Sequence, residues 1–340
     1  MRVFITGSGT LAKELTRQLH SVAEKVVVFS RSESKQAEMR NMFPEGPPSA
    51  MRYRLGDIRD MHRLQEAMSD CDICIHTAAL KRIDTCETET RECMKTNIIG
   101  TNNVALACRN KGIQKALFIS TDKAPNPCGA YGASKLFGEQ LWIGTNNLTN
   151  NCEYSCVRYG NVRGSTGAVH GIWKRQAEAG EALTVTDPDM SRFFWSISEA
   201  GRFIIQTLGF QYWVPGVIFL PKMAHFKISD IARKYSDDIK YTGLRCSEKM
   251  HEELLTEVEV ERCYEQGDRY AVYPSHEWNG ELSPTGLKVP AGFRYTSEKG
   301  ACVDAPFADI NTILSGRRAQ GLLVPVSAAS AAGSVHQHLS

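Results

Sequence analysis

The sequence predicts an α/β fold: a doubly wound parallel sheet with helices on both faces and a smaller, intertwined C-terminal lobe. Apolar runs of strand length alternate with helical patterns through the first half of the chain. This alternation is typical of parallel strands joined by crossover helices. The first apolar run ends in a glycine-rich turn, Gly7-Ser8-Gly9, that opens a helix. In such folds the ligands lie beyond the carboxyl ends of the strands.

The predicted elements follow this alternation in order. Strands are predicted at 2–5, 26–29, 51–55, 73–76, 116–120 and 154–158, and helices at 11–19, 34–42, 61–68, 90–111, 131–145 and 197–208. We expect residues 1–160 to form a nucleotide-binding domain, with 195–222 packing back onto it. Residues 161–194 and 223–318 are then the substrate-binding lobe. Residues 319–340 are small and polar, and we expect a disordered tail there.

The bulk composition excludes several classes of function. The chain has 340 residues, of which 42% are hydrophobic and 23% charged, and its net charge is +2 without any long basic run. A nucleic-acid partner is therefore not expected, and the apolar stretches are too short to span a membrane. The chain begins directly with a strand, so we expect a cytoplasmic protein without a signal peptide. Its eleven cysteines include the pair Cys71 and Cys74, which we interpret as reduced thiols that are part of a buried strand, with no metal site.

The turn after the first strand is the candidate dinucleotide site. Gly7-Ser8-Gly9-Thr10-Leu11-Ala12 matches G-x-G-x-x-A between a strand and a helix. In this motif the backbone approaches a pyrophosphate at the helix N-terminus; the alternative interpretation is a plain tight turn. After the second strand, Ser30, Arg31 and Lys35 suit a 2′-phosphate. NADP is therefore preferred over NAD, although Glu33 offers a carboxylate to a ribose hydroxyl.

The loops after the third and fourth strands complete the predicted cofactor site. Asp57 and Ile58 follow the third strand and are expected near the adenine. The turn Thr77-Ala78-Ala79 follows the fourth strand, and its small side chains would let the cofactor pass close to the backbone.

The candidate catalytic residues lie around the end of the fifth strand. Thr121-Asp122-Lys123 closes this strand, and a loop with two prolines and a glycine leads to Tyr131 and Lys135. These two residues are spaced i and i+4, which places them on one face of a helix. A cation beside a phenol lowers the phenol pKa, so the pair predicts a base that removes a hydroxyl proton during hydride transfer. As a plain core aromatic, Tyr131 would have an unusual lysine neighbour.

With these motifs in this order, the sequence resembles the extended short-chain dehydrogenase/reductase family, which has a Rossmann fold. More narrowly, it is similar to the soluble, C5-inverting UDP-N-acetylglucosamine 4,6-dehydratases of polysaccharide biosynthesis. The matching segments are Ala78-Ala79-Leu80-Lys81-Arg82, Lys95-Thr96-Asn97, Ser120-Thr121-Asp122-Lys123-Ala124, Tyr159-Gly160-Asn161-Val162, Thr186-Asp187-Pro188-Asp189-Met190-Ser191-Arg192, Pro221-Lys222-Met223, and residues 243–252 ending in Met250-His251-Glu252. The glycine turn is one residue shorter than the family pattern.

The resemblance implies a reaction and roles for these residues. Tyr131, assisted by Lys135, would take the proton of the sugar C4 hydroxyl, and Thr121 would orient that hydroxyl. Lys123 would remove the C5 proton, which requires a lowered pKa, and Asp122 would protonate the C6 hydroxyl, which requires a raised pKa. Lys123 is the discriminating residue, because related dehydratases acting on nucleotide-activated glucose usually carry Glu there.

Further binding residues rest on the resemblance as well. It implies that Lys81, Asn97, Ser120 and Tyr159 contact the cofactor. It implies a UDP-sugar site formed by Lys81, Asn161, Val169, Thr184, Met190, Arg192, Lys222, Arg245 and Glu248. Within this set the two arginines are candidates for the diphosphate, with a salt bridge as the alternative interpretation. Related enzymes often associate, so a homo-oligomer is compatible with the sequence.

Two other functions are compatible with the sequence. A UDP-sugar 4-epimerase would need Tyr131 but no acid for a leaving group, so Asp122 and Lys123 argue against it. A catalytically inactive NADP-binding regulator is favoured only by the shortened glycine turn.

Overall fold

The computed structural model describes residues 1–46, 50–149, 151–164, 169–209, 211–275 and 283–298. The predicted tail at 319–340 lies outside these ranges. Within the described ranges, every helix is too short or too polar to traverse a bilayer.

A large, mostly parallel sheet forms the centre of the molecule. Its described strands are β1 (Arg2–Thr6), β2 (Lys25–Ser30), β3 (Met51–Leu55), β4 (Ile73–His76), β5 (Lys115–Thr121), β6 (Glu153–Tyr159), β10 (Ile218–Pro221), β14 (Cys263–Gln266), β15 (Arg269–Val272) and β16 (Leu287–Lys288). Their order is β16-β14-β15-β10-β6-β5-β4-β1-β2-β3. The strands β1–β6 and β10 pair in parallel, whereas β15 and β14 are antiparallel additions at one side. The predicted doubly wound α/β fold is confirmed.

Helices cover the sheet or connect its strands. They are α1 (Thr10–Leu19), α2 (Glu33–Met42), α3 (Met61–Ala67), α4 (Ile83–Thr88), α5 (Thr90–Cys93), α6 (Gly100–Lys111), α7 (Ala130–Gly144), α8 (Val169–Glu178), α9 (Ile197–Thr207), α10 (Ile228–Ala232) and α11 (Glu257–Val260). The chain order reverses between β1 and β4, so the loops after these two neighbouring strands face a common crevice, which is where such folds bind ligands.

One predicted helix differs from the structure. The sequence predicts a continuous helix at 90–111, but a π-helical segment, Met94–Ile99, separates α5 from α6. Asn97 lies in this segment, and its amide bonds to the backbone of Leu80 instead of facing outward. A π-helical turn is often found at functional sites, and this one fixes the loop that follows β4.

Smaller sheets build a second region near the carboxyl ends of the central strands. They contain β7 (Asn161–Arg163), β9 (Ser191–Ser196) and β11 (Ala224–Lys227); β8 (Leu183–Val185) and β12 (Ile239–Tyr241); and β13 (Glu253–Leu255) and β17 (Tyr295–Thr296). A separate apolar cluster around Trp173, Phe194 and Ile228 packs against β8, β9, β11 and β12, whereas Leu254, Leu255 and Tyr295 of β13 and β17 belong to the main core. Strands β14 to β16 belong to the residues that the sequence analysis assigned to the second lobe, but they extend the central sheet. The predicted boundaries between the two lobes remain a prediction.

Cys71 and Cys74 are both buried in the core. Cys74 lies in β4 and is fully buried, and Cys71 is 5% exposed just before that strand. Burial raises the pKa of Cys71 to about 12, so it stays a protonated thiol. Both cysteines are free, as predicted.

Candidate active site

The glycine turn after β1 has the geometry that the motif predicts. Gly7 has φ +94°, and a Cβ there would lie 2.8 Å from Thr77 Oγ1. Only glycine adopts this conformation without strain. By contrast, a Cβ on Gly9 would meet no atom within 4 Å. Helix α1 begins directly after Gly9, so its free N–H groups face the turn and form a place for an anion.

The turn after β4 is tied to the glycine turn by Thr6. The Thr6 hydroxyl accepts hydrogen bonds from the backbone N–H groups of Thr77 and Ala78 at 3.1 and 3.2 Å, and Thr77 Oγ1 donates to Thr6 O at 2.6 Å. The structure therefore brings the two predicted cofactor loops together. Asn97 acts at the other end of this turn, where it bonds both N–H and C=O of Leu80 at 2.8 Å.

The residues after β2 and β3 lie side by side. The Arg31 guanidinium is half exposed and is 3.4 Å from Asp57, which also pairs with Arg59 at 2.7 Å. Burial alone would raise the Asp57 pKa, but hydrogen bonds from Arg59 and the charge of Arg31 lower it on balance. Lys35 is exposed in the first turn of α2. Two exposed cations, Arg31 and Lys35, therefore lie after the end of β2, and Arg31 is close to the ionised carboxylate of Asp57.

The remaining predicted cofactor residues divide by exposure. Ser30, Ile58, Asn97, Ser120 and Tyr159 are buried, Leu11 and Ala78 are half-buried against the core, and Lys81 is exposed. Tyr159 packs its ring 5.1 Å from that of Trp195. No hydrogen-bond partner for Ser120 Oγ occurs among the described residues.

The loop Asp122–Gly129 is held against α7 by a close approach. A Cβ on Gly132 would lie 2.3 Å from the carbonyl oxygen of Lys123, which explains why glycine follows Tyr131. This contact brings Tyr131 to the end of β5, next to Thr121. Thr121 Oγ1 in turn donates to Asp122 Oδ1 at 3.0 Å. The predicted catalytic residues Thr121, Asp122, Lys123 and Tyr131 are therefore gathered at one place.

The predicted lowering of the Tyr131 pKa by Lys135 is wrong. Lys135 Nζ donates to Ile119 O at 2.5 Å and lies 3.9 Å from the centre of the Phe118 ring. Burial raises the pKa of Tyr131 to about 12, and the cation that opposes this rise is Lys123. Burial also lowers the pKa of Lys135 to about 8. The i+4 spacing placed both residues on α7, but it did not decide which cation faces the phenol.

Two buried carboxyl groups, Asp122 and Glu252, meet the half-buried Lys123 beside Tyr131. Lys123 Nζ is 2.9 Å from Asp122 Oδ1 and 3.0 Å from Glu252 Oε1. Burial would lower the Lys123 pKa, but the two carboxylates raise it above its usual range, so the predicted lowering is wrong. Burial raises the Asp122 pKa, and the charge of Glu252 adds to the rise. The raised pKa expected for Asp122 is confirmed in direction.

Glu252 is the residue that the sequence prediction missed. It is 2% exposed, and together with Lys123 and Tyr131 it lines an open cleft. Burial would raise its pKa, but Lys123 and Arg192 lower it on balance, so it is a carboxylate. Glu252 ends the segment Met250-His251-Glu252, which matches the family pattern and could have indicated a functional residue. Its partner could not be predicted, because Lys123, the cation that it contacts, is remote in sequence.

The predicted substrate residues are only partly brought together. Arg192 is 6% exposed, and its guanidinium donates to the carbonyls of Ser191, Met250 and Lys249. This burial does not support contact with a diphosphate. Arg245 pairs with Glu248 at 2.9 Å.

Other predicted substrate residues are distributed over the second region. Lys222 pairs with Glu265, and Thr184 Oγ1 bonds to Gln176 at 3.2 Å. Met190 is buried in the separate apolar cluster, against which Val169 packs, and Asn161 begins β7. Their predicted contacts with the substrate remain predictions.

Comparison with known proteins gives consistent matches over most of the chain. A family model described as "Polysaccharide biosynthesis protein" matches residues 3–274. An inverting UDP-N-acetylglucosamine 4,6-dehydratase of Campylobacter jejuni is 37% identical over 312 residues, which are 87% of this chain and 92% of that protein. A UDP-glucose 4-epimerase of Rickettsia massiliae is 33% identical over 274 residues, which are 78% of this chain and 79% of that protein.

A solved structure is also similar. The X-ray structure of Pen from Bacillus thuringiensis superposes with a TM-score of 0.80 at 30% identity, covering 89% of this chain and 94% of that one.

Proposed function

Because the chain belongs to the polysaccharide biosynthesis protein family, we propose that it is an NADP-dependent UDP-N-acetylglucosamine 4,6-dehydratase. The reaction inverts C5 and serves amino-sugar synthesis for a surface glycan. The observation that carries the proposal is the Asp122–Lys123 ion pair, 2.9 Å long, beside Tyr131. This arrangement supports the proposal, because Asp122 could serve as an acid and Lys123 as a base next to Tyr131, which would act on the C4 hydroxyl. The similarity to an inverting dehydratase supports the same reaction.

The glycine turn fits a dinucleotide. Gly7 adopts a backbone conformation that a side chain would strain, and the space next to Gly9 is open. The turn and the N-terminus of α1 would hold the pyrophosphate, and Arg31 and Lys35 would meet the 2′-phosphate of NADP. A bound nicotinamide supplies a hydride acceptor for C4 and a hydride donor for C6. The shortened glycine turn therefore does not favour an inactive regulator.

Tyr131 would begin the reaction by taking the proton of the C4 hydroxyl. Thr121, which lies next to Tyr131, would orient this hydroxyl. The Lys123 ammonium favours the phenolate form of Tyr131. The 4-keto group that results acidifies the hydrogen on C5.

Lys123 and Asp122 would then remove water across C5 and C6. Lys123 is assigned to the C5 proton because its side chain, which is 21% exposed, reaches the cleft that Tyr131 also lines. An ammonium ion cannot accept a proton, so Lys123 first passes one to Asp122 across their 2.9 Å contact. The neutral amine takes the C5 proton, and protonated Asp122 gives its proton to the C6 hydroxyl, which leaves as water. Both groups return to their starting charges, so the protons balance.

A UDP-sugar 4-epimerase is the second candidate, and the Rickettsia relative favours it. Epimerisation at C4 needs Tyr131 but no proton donor for a C6 hydroxyl. Asp122 and Lys123 would then be structural, and changing Asp122 to Asn would leave turnover intact.

One incubation distinguishes the candidates. The protein is incubated with NADP and UDP-N-acetylglucosamine in deuterated water, and the product is analysed by mass spectrometry and NMR. We expect a product that has lost one water and carries deuterium at an inverted C5. A product of unchanged sugar composition with an altered C4 would support the epimerase. Asp122→Asn is the informative variant, because it keeps the side-chain shape and removes the acid.

A further inference from the structure

Glu252 reaches the candidate active site from a distant part of the chain. Its backbone is clamped on both sides by Ser297, because Glu252 N–H donates to Ser297 Oγ at 2.9 Å and Ser297 N–H donates to Glu252 O at 2.8 Å. Strand β13, which starts at the next residue, is held by Arg158, whose Nη1 donates to Leu254 O at 2.9 Å. The carboxylate is therefore presented from a fixed backbone.

Glu252 and Lys123 both line the cleft, and the side chain of Glu252 is the less exposed of the two. The Lys123 side chain is 21% exposed and that of Glu252 is 2% exposed, with Oε1 3.0 Å from Nζ. Among the described residues, the second oxygen, Oε2, is buried without a hydrogen-bond partner. Arg192 Nε is 3.8 Å from Oε1. A buried carboxylate is costly unless it is paired, and Glu252 is paired with Lys123 and Arg192.

We propose that Glu252 is a positioning residue of the acid–base group: it fixes Lys123 Nζ opposite Asp122 and sets the charge of both residues. This inference rests on the proposed dehydratase function for its catalytic meaning. The Lys123 ammonium contacts two carboxylates, Asp122 at 2.9 Å and Glu252 at 3.0 Å. The other charged or titratable groups that face this cluster are Arg192 from β9, Lys249 from the segment before β13 and Tyr131 from α7.

The charge of Glu252 raises the pKa of Lys123 and the pKa of Asp122. A negative neighbour favours the protonated form of an amine and of a carboxylic acid alike. Removing that charge must therefore lower the pKa values of Lys123 and of Asp122 together. In the proposed dehydration step Asp122 must start as a carboxylate and Lys123 as an ammonium. Protonation of Asp122 therefore limits this step at low pH and loss of the Lys123 proton limits it at high pH, so both limbs of its pH–rate profile move in one direction.

The test compares Glu252→Gln with the wild-type enzyme. We expect both limbs of the kcat profile for C5 deuterium incorporation to move to lower pH, by about 1 pH unit or more. Glu252→Asp keeps the charge and should keep both limbs near their wild-type positions, with a lower maximum. Glu257→Gln removes the same charge from the exposed start of α11 and should leave the profile unchanged. A fall in kcat at every pH without movement of the limbs would overturn the proposal.

A second measurement does not depend on the reaction. In protein labelled with 13C-lysine, the Lys123 Cε resonance is assigned by its loss in Lys123→Met and followed against pH. We expect this resonance to titrate at lower pH in Glu252→Gln than in the wild type. An unchanged titration would refute the charge-setting role even if UDP-N-acetylglucosamine is dehydrated. A shifted titration without any dehydrated product would refute the proposed function and leave the role of Glu252 standing.

Discussion

Glu259→Gln tests a buried ion cluster that anchors the catalytic helix. Arg158 is fully buried and lies 2.7 Å from Glu139 on α7 and 2.8 Å from Glu259 on α11. Burial would raise the Glu259 pKa, but Arg158 overcomes this and lowers it to about 2. The substitution removes one carboxylate and leaves Arg158 with Glu139 alone. We expect the folded state to lose stability at neutral pH.

The pKa difference sets the magnitude. A fall from 4.5 to about 2 corresponds to roughly 3 kcal/mol, at about 1.4 kcal/mol per pKa unit. Breaking a buried ion pair by removing one partner costs about 3–5 kcal/mol in general, and the remaining Glu139 keeps the cost near the lower end. Because the folded pKa lies below the unfolded one, this stabilisation is complete above the unfolded value of 4.5 and is lost as pH falls toward 2.

Urea unfolding at a series of pH values measures this effect. The free energy of unfolding of Glu259→Gln should lie about 3 kcal/mol below that of the wild type at pH 7. The difference should shrink as the pH falls through the range between the two pKa values. Glu257→Gln, an exposed neighbour on the same helix, should unfold like the wild type at every pH. A difference that does not change with pH would refute the assignment of the effect to the Glu259 charge.

Three further predictions concern the cofactor and the base. Tyr131→Phe should lower turnover by about 10²–10⁴-fold while NADPH binding, measured by fluorescence titration, stays unchanged; retained turnover would exclude Tyr131 as the base. Gly7→Ala should weaken NADPH binding by about tenfold or more, because the added Cβ would lie 2.8 Å from Thr77 Oγ1. Gly9→Ala is the matched control, because the Cβ that it adds would meet no atom within 4 Å. Arg31→Ala should reduce the affinity for NADPH by about tenfold or more and that for NADH far less, because a charge-assisted hydrogen bond to a 2′-phosphate is worth about 1.5–3 kcal/mol. Equal losses for both dinucleotides would contradict the preference for NADP.

Local sequence patterns predicted the parts of the site that depend on neighbours along the chain. The G-x-G-x-x-A turn predicted the strand-to-helix turn at Gly7, whose positive φ the structure has. The alternation of apolar runs predicted the parallel strands, and the i+4 spacing predicted that Tyr131 and Lys135 share α7. Each of these follows from backbone geometry or from the period of a regular element, which a short stretch of sequence contains.

The charge states of the site were decided only by the tertiary structure. The helical period could not show that Lys135 bonds to Ile119 O, or that Lys123 is the cation facing Tyr131. Nor could any local pattern bring Glu252 to 3.0 Å from Lys123. A pKa depends on burial and on distances to charges from remote segments. The sequence by itself therefore determined which acids and bases are available near β5, and the packing of distant segments around Lys123 decided how each of them is charged.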